Sequence, residues 1–203
     1  MPATNPPPSS TSSPSPSLQG GPRPVIFLDR DDTVIANREA TSSTPHPGDL
    51  LDPSLVRLLP GAGEALRDLV QAGHRLVFVT NQGGVAQGFG TLRDVERVNE
   101  RMRELLIACG VPPVPVYFSP ARGDGVSPRF RDQLSWRKPA PGMLLAAATE
   151  LNIDLSRSWM IGDAPRDVES GLAAGLPPAR CLLIGPGARW PTIVEAVRVV
   201  LGA

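Results

Sequence analysis

The chain has 203 residues, of which 41% are hydrophobic, and its 20 basic side chains balance its 20 acidic ones, as in one soluble domain of ordinary charge. The lack of a basic excess gives no support to a nucleic-acid partner. No apolar run is long enough to span a membrane, and the N-terminal residues lack the pattern of a secretory signal, so we expect a cytoplasmic protein with no membrane partner.

The first 23 residues differ in composition from the rest of the chain. They are rich in Pro, Ser and Thr and have almost no apolar side chains, so burial cannot offset the entropy lost on ordering. We predict a disordered tail over 1–23 and one domain over 24–203. Cys109 and Cys181 lack the close spacing of a metal or redox motif, and we expect both to be free, buried thiols.

Strands and helices alternate along the predicted domain. Short apolar runs predict strands over 25–28, 75–80, 114–118, 158–161 and 180–184. Apolar residues at helical spacing predict helices over 64–71, from a Thr91 cap to Leu106, from Pro141 to Leu151 and over 192–201. This alternation predicts an α/β fold with a Rossmann-like, mostly parallel sheet and helices on both faces.

Polar side chains follow the predicted strands or open the next helix. These residues are Asp29, Asp31, Thr80, Asn81, Lys138, Asp163 and Asp167. Each of them alone has a structural explanation, since aspartates form turns and cap helices, and a lysine beside prolines is ordinarily solvated. Because the carboxyl ends of parallel strands meet at one edge of a sheet, we expect these complementary groups to converge on one site.

Three carboxylates, those of Asp29, Asp31 and Asp32, crowd the end of the first predicted strand. Like charges at this spacing raise one another's pKa unless a cation or a positive field keeps them ionised. An aspartate can act as a nucleophile that forms an acyl-phosphate, while a second carboxylate transfers the proton. The cluster therefore indicates chemistry that needs a cation, a lysine and a phosphate-binding cradle from the rest of the chain.

Four segments of the chain resemble, in order, the four motifs of the haloacid dehalogenase superfamily of phosphotransferases. They are Asp29-Arg30-Asp31-Asp32-Thr33, Val79-Thr80-Asn81, Arg137-Lys138-Pro139 and Gly162-Asp163-Ala164-Pro165-Arg166-Asp167. The residues that flank the first three motifs resemble the subgroup of heptose 1,7-bisphosphate phosphatases and histidinol-phosphate phosphatases. As in that subgroup, the compact segment after the first motif leaves little room for a large cap domain, and we expect none.

The resemblance implies the chemical roles of three aspartates. Asp29 would be the nucleophile that forms an aspartyl-phosphate, and Asp31 would protonate the leaving oxygen and then activate the water that hydrolyses the intermediate. Mg²⁺ would be held by Asp29, Asp163 and the backbone carbonyl of Asp31, because a hard cation prefers oxygen ligands. Asp167 would support the metal site or the neighbouring lysine without binding the metal.

The resemblance also implies which residues bind the substrate. Thr80, the amide of Asn81 and Lys138 would bind the phosphate and offset charge in the transition state. Arg137 would contact the substrate outside this set, because its planar guanidinium suits phosphate or sugar hydroxyls. We expect a small-molecule phosphorylated substrate for such a site.

The chain departs from the subgroup at three places. Asp32 stands where relatives usually have glycine, and Gln87 stands where they have arginine. Residues 119–136 correspond to a loop that holds zinc in many relatives, but here the loop contains neither Cys nor His, so we expect no structural zinc. The loop instead carries three arginines, partly balanced by two aspartates. These are Arg122, Arg129 and Arg131, with Asp124 and Asp132.

Two interpretations of this arginine loop remain open from the sequence. It is either a solvated, mobile loop, or one or two of its arginines bind a remote anionic group of the substrate.

The preferred function is a Mg²⁺-dependent phosphomonoester hydrolase, a monomer, that acts on a sugar bisphosphate such as D-glycero-D-manno-heptose 1,7-bisphosphate. The alternatives are a histidinol-phosphate phosphatase, a polynucleotide 3'-phosphatase, or a non-catalytic phosphate-binding module on the same scaffold.

Overall fold

The structure, a computed structural model, describes residues 21–131 and 133–202. The predicted tail lies outside these residues except for 21–23, and Asp132 lies outside them as well. At the start of the described chain, the Arg23 amide donates to the carbonyl of Asn152 at 3.1 Å, and the Asp154 amide donates to the carbonyl of Arg23 at 3.1 Å. The chain is thus tied to the domain just before its first strand.

Five strands and seven α-helices form within the described ranges. The strands are β1 (Ile26–Leu28), β2 (Leu76–Asn81), β3 (Val116–Ser119), β4 (Trp159–Gly162) and β5 (Cys181–Leu183). The helices are α1 (Arg38–Thr41), α2 (Ala62–Gln71), α3 (Leu92–Ala108), α4 (Pro128–Arg131), α5 (Gly142–Glu150), α6 (Pro165–Ala173) and α7 (Ile193–Leu201). None of the helices in these ranges is long and apolar enough to cross a membrane.

The five strands form one sheet in the order β3-β2-β1-β4-β5, and every pairing is parallel. In the centre of the sheet, Phe27 lies between Val77 of β2 and Met160 of β4. Each predicted strand is confirmed to within two residues. The predicted parallel sheet is therefore correct, and its central position explains why the residues of β1 are fully buried.

Apolar side chains cover both faces of the sheet, as predicted. On one face, Ile26 and Leu28 pack with side chains of α2, α3 and α7, whereas on the other face Phe27 packs with side chains of α5. The alternation of neighbouring residues between the two faces follows from the two-residue repeat of a strand. The residues of β1 therefore fix the sheet between two helical layers, and the polar residues that follow β1 are held at its carboxyl end.

The helix predictions are correct for α2, α3, α5 and α7, but α1, α4 and α6 were not predicted. Thr91 and Asp94 form the capping box that begins α3, as their spacing indicated. The described segment 29–61 between β1 and α2 contains α1 and a short 3-10 helix at Pro53–Leu55, so no large cap domain is inserted there. Cys109 and Cys181 are free thiols, of which Cys181 is buried and Cys109 only partly so.

Candidate active site

The carboxyl ends of β1 and β2 border an open polar pocket of about 220 Å³. Five of the predicted site residues line it, namely Asp29, Asp31, Thr80, Asn81 and Arg137. The backbone amide of Asp29 donates to the carbonyl of Ile161 at 2.9 Å, which fixes the first carboxylate against the end of β4. The structure thus brings together the groups that the sequence placed on four separate β/α units.

Lys138 lies at the base of this site, and its ammonium group joins three elements. Its Nζ lies 2.5 Å from Asp29 Oδ1 and 2.7 Å from Asp167 Oδ1, and it donates to the carbonyl of Val79 at 2.7 Å. The Lys138 side chain is fully buried. A buried ammonium is stable only where anions and acceptors surround it, so this lysine is built into the site and is not a solvated surface group.

The buried charges of this cluster perturb one another. Burial raises the pKa of Asp29 to about 7, with Lys138 opposing the shift and the charges of Asp167 and Asp31 adding to it. Burial acts to lower the pKa of Lys138, but the attraction of Asp29 and Asp167 raises it overall. One lysine is thus shared by two buried carboxylates, and a further cation would keep both ionised.

The Asp31 carboxylate is held apart from the lysine by a separate set of donors. Arg30 donates to it from Nε at 3.2 Å and from Nη2 at 3.1 Å, while Gln82 Nε2 donates at 2.7 Å and Thr80 Oγ1 at 3.2 Å. The Arg30 side chain is fully buried, and its Nη1 donates to Asn99 Oδ1 at 2.7 Å. Arg30 lies within the first motif, but the sequence did not predict its role or the roles of Gln82 and Asn99.

Asn81 links the second motif to the third. Its Nδ2 donates to the carbonyl of Lys138 at 3.0 Å, and its Oδ1 accepts from the amide of Lys138 at 3.0 Å. The side chain therefore holds the backbone that carries the lysine, while the residue also lines the pocket. A positioning function for Asn81 was not part of the sequence prediction, which concerned its backbone amide.

The carboxylates of Asp29, Asp163 and Asp167 can provide ligand atoms that all lie within 4.8 Å of one another. Asp163 Oδ1 is buried and has no hydrogen-bond partner among the described residues. An all-oxygen set with an unsatisfied buried oxygen suits a hard divalent cation such as Mg²⁺. The Asp31 carboxylate lies outside this set, and the use of its backbone carbonyl by the metal stays a prediction.

Asp167 is one of the three residues of this cation cluster, whereas the sequence predicted that it would support the metal site without binding the metal. Its Oδ2 accepts from the Ala164 amide at 3.0 Å, which closes the first turn of α6. A Cβ on Gly162 would lie 2.4 Å from the Asp167 Cγ, so only glycine fits at the end of β4. The carboxylate of Asp167 is therefore fixed by the strand end, the helix start and Lys138 together.

Asp32, whose role the sequence does not indicate, connects the first motif to α1. Its backbone has φ 54°, and its Oδ1 accepts from the amides of Asn37 at 3.0 Å and Arg38 at 3.1 Å. Its Oδ2 lies 3.3 Å from Arg38 Nε. Arg38 Nη2 in turn lies 2.5 Å from Asp163 Oδ2, so Asp32 is linked to the cation cluster through this arginine.

Three arginines line the side of the pocket, and they are Arg122, Arg137 and Arg166. Arg137 Nη1 donates to the carbonyl of Ala121 at 2.9 Å, and Arg122 Nε donates to Asp124 Oδ1 at 2.7 Å. Burial lowers the pKa of Arg137, and the like charges of Arg166 and Arg122 lower it further. The three arginines thus form a positively charged wall of the pocket.

The remaining loop arginines do not contribute to this wall as far as the structure describes them. Arg129 is exposed and lies over the ring of Phe130 at 5.2 Å. The side chain of Arg131 lies outside the described part of the chain. Arg166 was quoted only as part of the fourth motif, and the signal that could have identified it is its position one residue before Asp167, in the first turn of a helix at the sheet edge.

The Ser119-to-Arg131 portion of the loop that lacks zinc ligands is attached to the domain by backbone hydrogen bonds. The Gln82 amide donates to the carbonyl of Ser119 at 2.7 Å, and the Ser127 amide donates to the carbonyl of Ala86 at 3.0 Å. Gly125 packs against Ala86 so closely that a Cβ would lie 2.7 Å from the alanine methyl. These contacts seat the loop beside the second motif, next to the pocket.

Comparisons with known proteins agree with the fold and identify the family. A family model described as HAD-hydrolase-like matches residues 135–195. A D-glycero-beta-D-manno-heptose-1,7-bisphosphate 7-phosphatase of Yersinia pestis is 38% identical over 153 residues, which cover 75% of this chain and 77% of that protein.

Two solved structures have folds similar to that of this chain. The crystal structure of a candidate HAD-like phosphatase from Mesorhizobium loti is 30% identical, with a TM-score of 0.75 over 92% of this chain and 91% of that one. The D,D-heptose 1,7-bisphosphate phosphatase of B. bronchiseptica, crystallised with magnesium and phosphate, shares the fold with a TM-score of 0.71 at 24% identity, over 88% of this chain and 98% of that one. The chain therefore belongs to the HAD-like phosphatase family that includes the heptose-1,7-bisphosphate 7-phosphatases.

Proposed function

We propose that the protein is a Mg²⁺-dependent phosphatase that hydrolyses a sugar bisphosphate through an aspartyl-phosphate on Asp29, with D-glycero-beta-D-manno-heptose 1,7-bisphosphate as the first substrate to test. The observation that carries this proposal is the buried Asp29–Lys138–Asp167 cluster, which opens into a pocket with a wall of three guanidinium groups. The first feature suits phosphoryl transfer, and the second suits a substrate with another anionic group.

Asp29 and Lys138 act on the transferred phosphoryl group. Asp29 attacks the phosphorus in line with the leaving oxygen, and a bond from its carboxylate to phosphorus forms as the bond to the sugar oxygen breaks. Lys138 stabilises the negative charge of the equatorial oxygens and holds Asp29 in place. Asp29 and Asp163, together with Asp167 or the Asp31 carbonyl, would hold Mg²⁺, which would supply charge neutralisation at the phosphate.

Asp31 transfers the proton. It protonates the leaving sugar oxygen, and then as a carboxylate it takes a proton from the water that hydrolyses the aspartyl-phosphate. Arg30, Thr80 and Gln82 fix its orientation in the structure. Because Thr80 also lines the pocket, arrival of the substrate can redistribute its hydrogen bonds and free the Asp31 carboxylate for the leaving group.

Recognition of the rest of the substrate is assigned to the wall of the pocket. Arg122, Arg137 and Arg166 are placed to bind a second phosphate, since planar guanidinium groups form paired hydrogen bonds with phosphate oxygens. Asn37 also lines the pocket, and its Oδ1 is buried without a hydrogen-bond partner among the described residues, so it can accept from a sugar hydroxyl. This combination favours a polyhydroxylated bisphosphate over a monophosphate.

The test is a phosphate-release assay with Mg²⁺ on the heptose bisphosphate, histidinol phosphate, other sugar phosphates and 3'-phosphorylated oligonucleotides. We expect kcat/KM for the heptose bisphosphate to exceed that for the monophosphates by about a hundredfold or more, which corresponds to roughly 2.7 kcal/mol. Asp29→Asn should abolish nearly all turnover, because the amide is not a nucleophile. The matched control is Asp68→Asn, since Asp68 is an exposed residue of α2.

The outcomes separate the alternatives. A preference for histidinol phosphate or for an oligonucleotide would change the proposed substrate but not the proposed mechanism. Full turnover in Asp29→Asn would show that Asp29 is not the nucleophile. Flat, weak rates on every compound would favour a non-catalytic phosphate-binding module. A cytoplasmic location, a monomeric state, and the absence of nucleic-acid partners and of structural zinc stay predictions, which fractionation, light scattering, a binding assay and metal analysis would test.

A further inference from the structure

The Asp32–Arg38 pair beside the candidate cation cluster has no part in the proposed chemistry. Asp32 has φ 54°, a left-handed backbone conformation that favours glycine and is costly for most other residues. Its carboxylate accepts from the backbone amides of Asn37 and Arg38 and so fixes the beginning of α1. The aspartate therefore has a defined structural position, and its charge faces the arginine at that helix start.

Arg38 reaches from the beginning of α1 to the cation cluster. Its guanidinium lies between two carboxylates, with Nε 3.3 Å from Asp32 Oδ2 and Nη2 2.5 Å from Asp163 Oδ2. The Arg38 side chain is 68% exposed, while the side chain of Asp163 is 5% exposed. An exposed arginine loses little when it leaves an ion pair, because water solvates it and its side chain regains rotamer freedom.

The two oxygens of Asp163 have different surroundings. Oδ2 is paired with Arg38, whereas Oδ1 is buried without a hydrogen-bond partner in the described part of the chain. A cation bound among Asp29, Asp163 and Asp167 would share the charge of Asp163 with the guanidinium. Two positive groups on one carboxylate repel each other, so the position of Arg38 affects how strongly the cluster attracts Mg²⁺.

We propose that Arg38 weakens the binding of Mg²⁺ by competing for the charge of Asp163, and that Asp32 is a positioning residue that restrains Arg38 and limits this competition. The inference rests on the proposed Mg²⁺-dependent function. Arg38 and Asp32 together set the concentration of Mg²⁺ at which the site is loaded, without contacting the substrate.

The proposal predicts opposite changes in Mg²⁺ affinity for two substitutions, measured by isothermal titration calorimetry with MgCl₂ and the full-length protein without substrate. Arg38→Gln removes the competing charge, and we expect binding to tighten about two- to fivefold, the range that an exposed ion pair supplies. Asp32→Asn keeps an acceptor for the two backbone amides and tolerates the left-handed conformation, but it frees the guanidinium to pair with Asp163 alone. We expect binding to weaken about two- to fivefold.

The double variant Asp32→Asn/Arg38→Gln tests whether Asp32 acts through Arg38. We expect it to bind Mg²⁺ as tightly as Arg38→Gln, because the restraint is irrelevant once the guanidinium is absent. If Asp32→Asn weakens binding equally in both backgrounds, its charge acts directly on the metal and the positioning role is rejected. Arg57→Gln is the matched control, since Arg57 pairs with Glu39 at 3.1 Å on the surface and should leave binding unchanged.

Failure of this inference differs from failure of the proposed function. Native protein that binds no Mg²⁺ would overturn both. Native protein that binds Mg²⁺, with Arg38→Gln unchanged or weaker, would overturn only the competition, and a weaker Arg38→Gln would mean that the guanidinium orients Asp163 for the metal. The rise in melting temperature that MgCl₂ produces in each variant gives an independent ranking of the Mg²⁺ affinities.

Discussion

At the scale of single residues, Arg30 shows how a buried side chain fixes a carboxylate of the candidate site. A guanidinium is almost never fully buried unless it is paired, and here Asp31 and Asn99 take up its donors. The sequence predicted Asp31 from its spacing to Asp29, because that spacing is local. It could not predict Asn99, which lies 69 residues further along the chain and meets Arg30 only after α3 packs beside the first motif.

Asn99→Ala should destabilise the protein and slow catalysis together. The substitution leaves a fully buried guanidinium donor without an acceptor, which costs about 1–3 kcal/mol of unfolding free energy. Because Arg30 then has more freedom, the Asp31 carboxylate loses its fixed orientation, and kcat should fall with little change in KM. Denaturant unfolding and steady-state kinetics measure the two effects.

Glu100→Ala is the control for Asn99→Ala, since Glu100 is the exposed neighbour on the same helix. Glu100→Ala should change the unfolding free energy by less than about 0.5 kcal/mol, and it should leave kcat unchanged. An Asn99→Ala protein with native stability and native kcat would show that Arg30 does not need this partner.

At the scale of elements, the sequence predicted those helices and strands whose signals are local and strong. The Thr91–Asp94 capping box and the apolar stripe that follows it identify α3 without any tertiary information. The helix α6 was missed because its first turn, from Pro165, belongs to the fourth motif and carries charged side chains. The four-residue α1 gives no periodic signal at all.

The junction of β4 and α6 depends on Gly162. Gly162→Ala would place a Cβ 2.4 Å from the Asp167 Cγ, so the carboxylate must move away from Lys138 and from the Ala164 amide. We expect a loss of about 1–3 kcal/mol in unfolding free energy. Activity should fall as well, because Asp167 helps to hold Lys138 and borders the cation cluster.

Gly21→Ala is the matched control for this junction, since no heavy atom lies within 4 Å of a Cβ at Gly21. Both variants carry the same chemical change, so their difference in a denaturation curve isolates the close approach of Asp167. Equal curves for the two variants would show that Asp167 moves without cost.

At the scale of the whole molecule, the topology explains why the site could be predicted and the substrate could not. The carboxyl ends of adjacent parallel strands necessarily meet, so Asp29, Thr80 and Asp163 converge in any sheet with this strand order. The wall of arginines depends instead on loops and on the start of α6. The approach of Arg122 to Arg166 follows from no local pattern in the sequence, and substrate recognition by such loops has to be read from the folded chain.

The concentrated negative charge of the site should make the stability of the metal-free protein depend on pH. The pKa of Asp29 rises from 3.8 to about 7 on folding, and that of Asp163 also rises, mainly through burial. A raised folded-state pKa gives stability that is complete below the unfolded pKa and is lost as the pH rises through the folded pKa. The melting temperature in EDTA should therefore contain a component that falls between about pH 4 and pH 7.

The part of this component that comes from Asp29 should be absent from Asp29→Asn, so the difference in melting temperature between the native protein and this variant should change with pH over the same window. Lys138 does not contribute to this pH dependence, because its raised pKa affects stability only above its ordinary value of 10.5. Addition of MgCl₂ at pH 8 should restore stability to the native protein by binding its folded state. A native-minus-variant difference that is constant across the window would contradict this account of Asp29.

The backbone pairing of Arg23 with Asn152 and Asp154 has a practical consequence. Arg23 precedes β1, so the chain enters the sheet at the edge opposite the carboxyl ends that form the pocket. A resin linker or a fluorescent protein joined to the chain at Arg23 would be attached away from the pocket. Reactors and sensors built from this phosphatase should therefore be attached at Arg23, on that edge of the sheet.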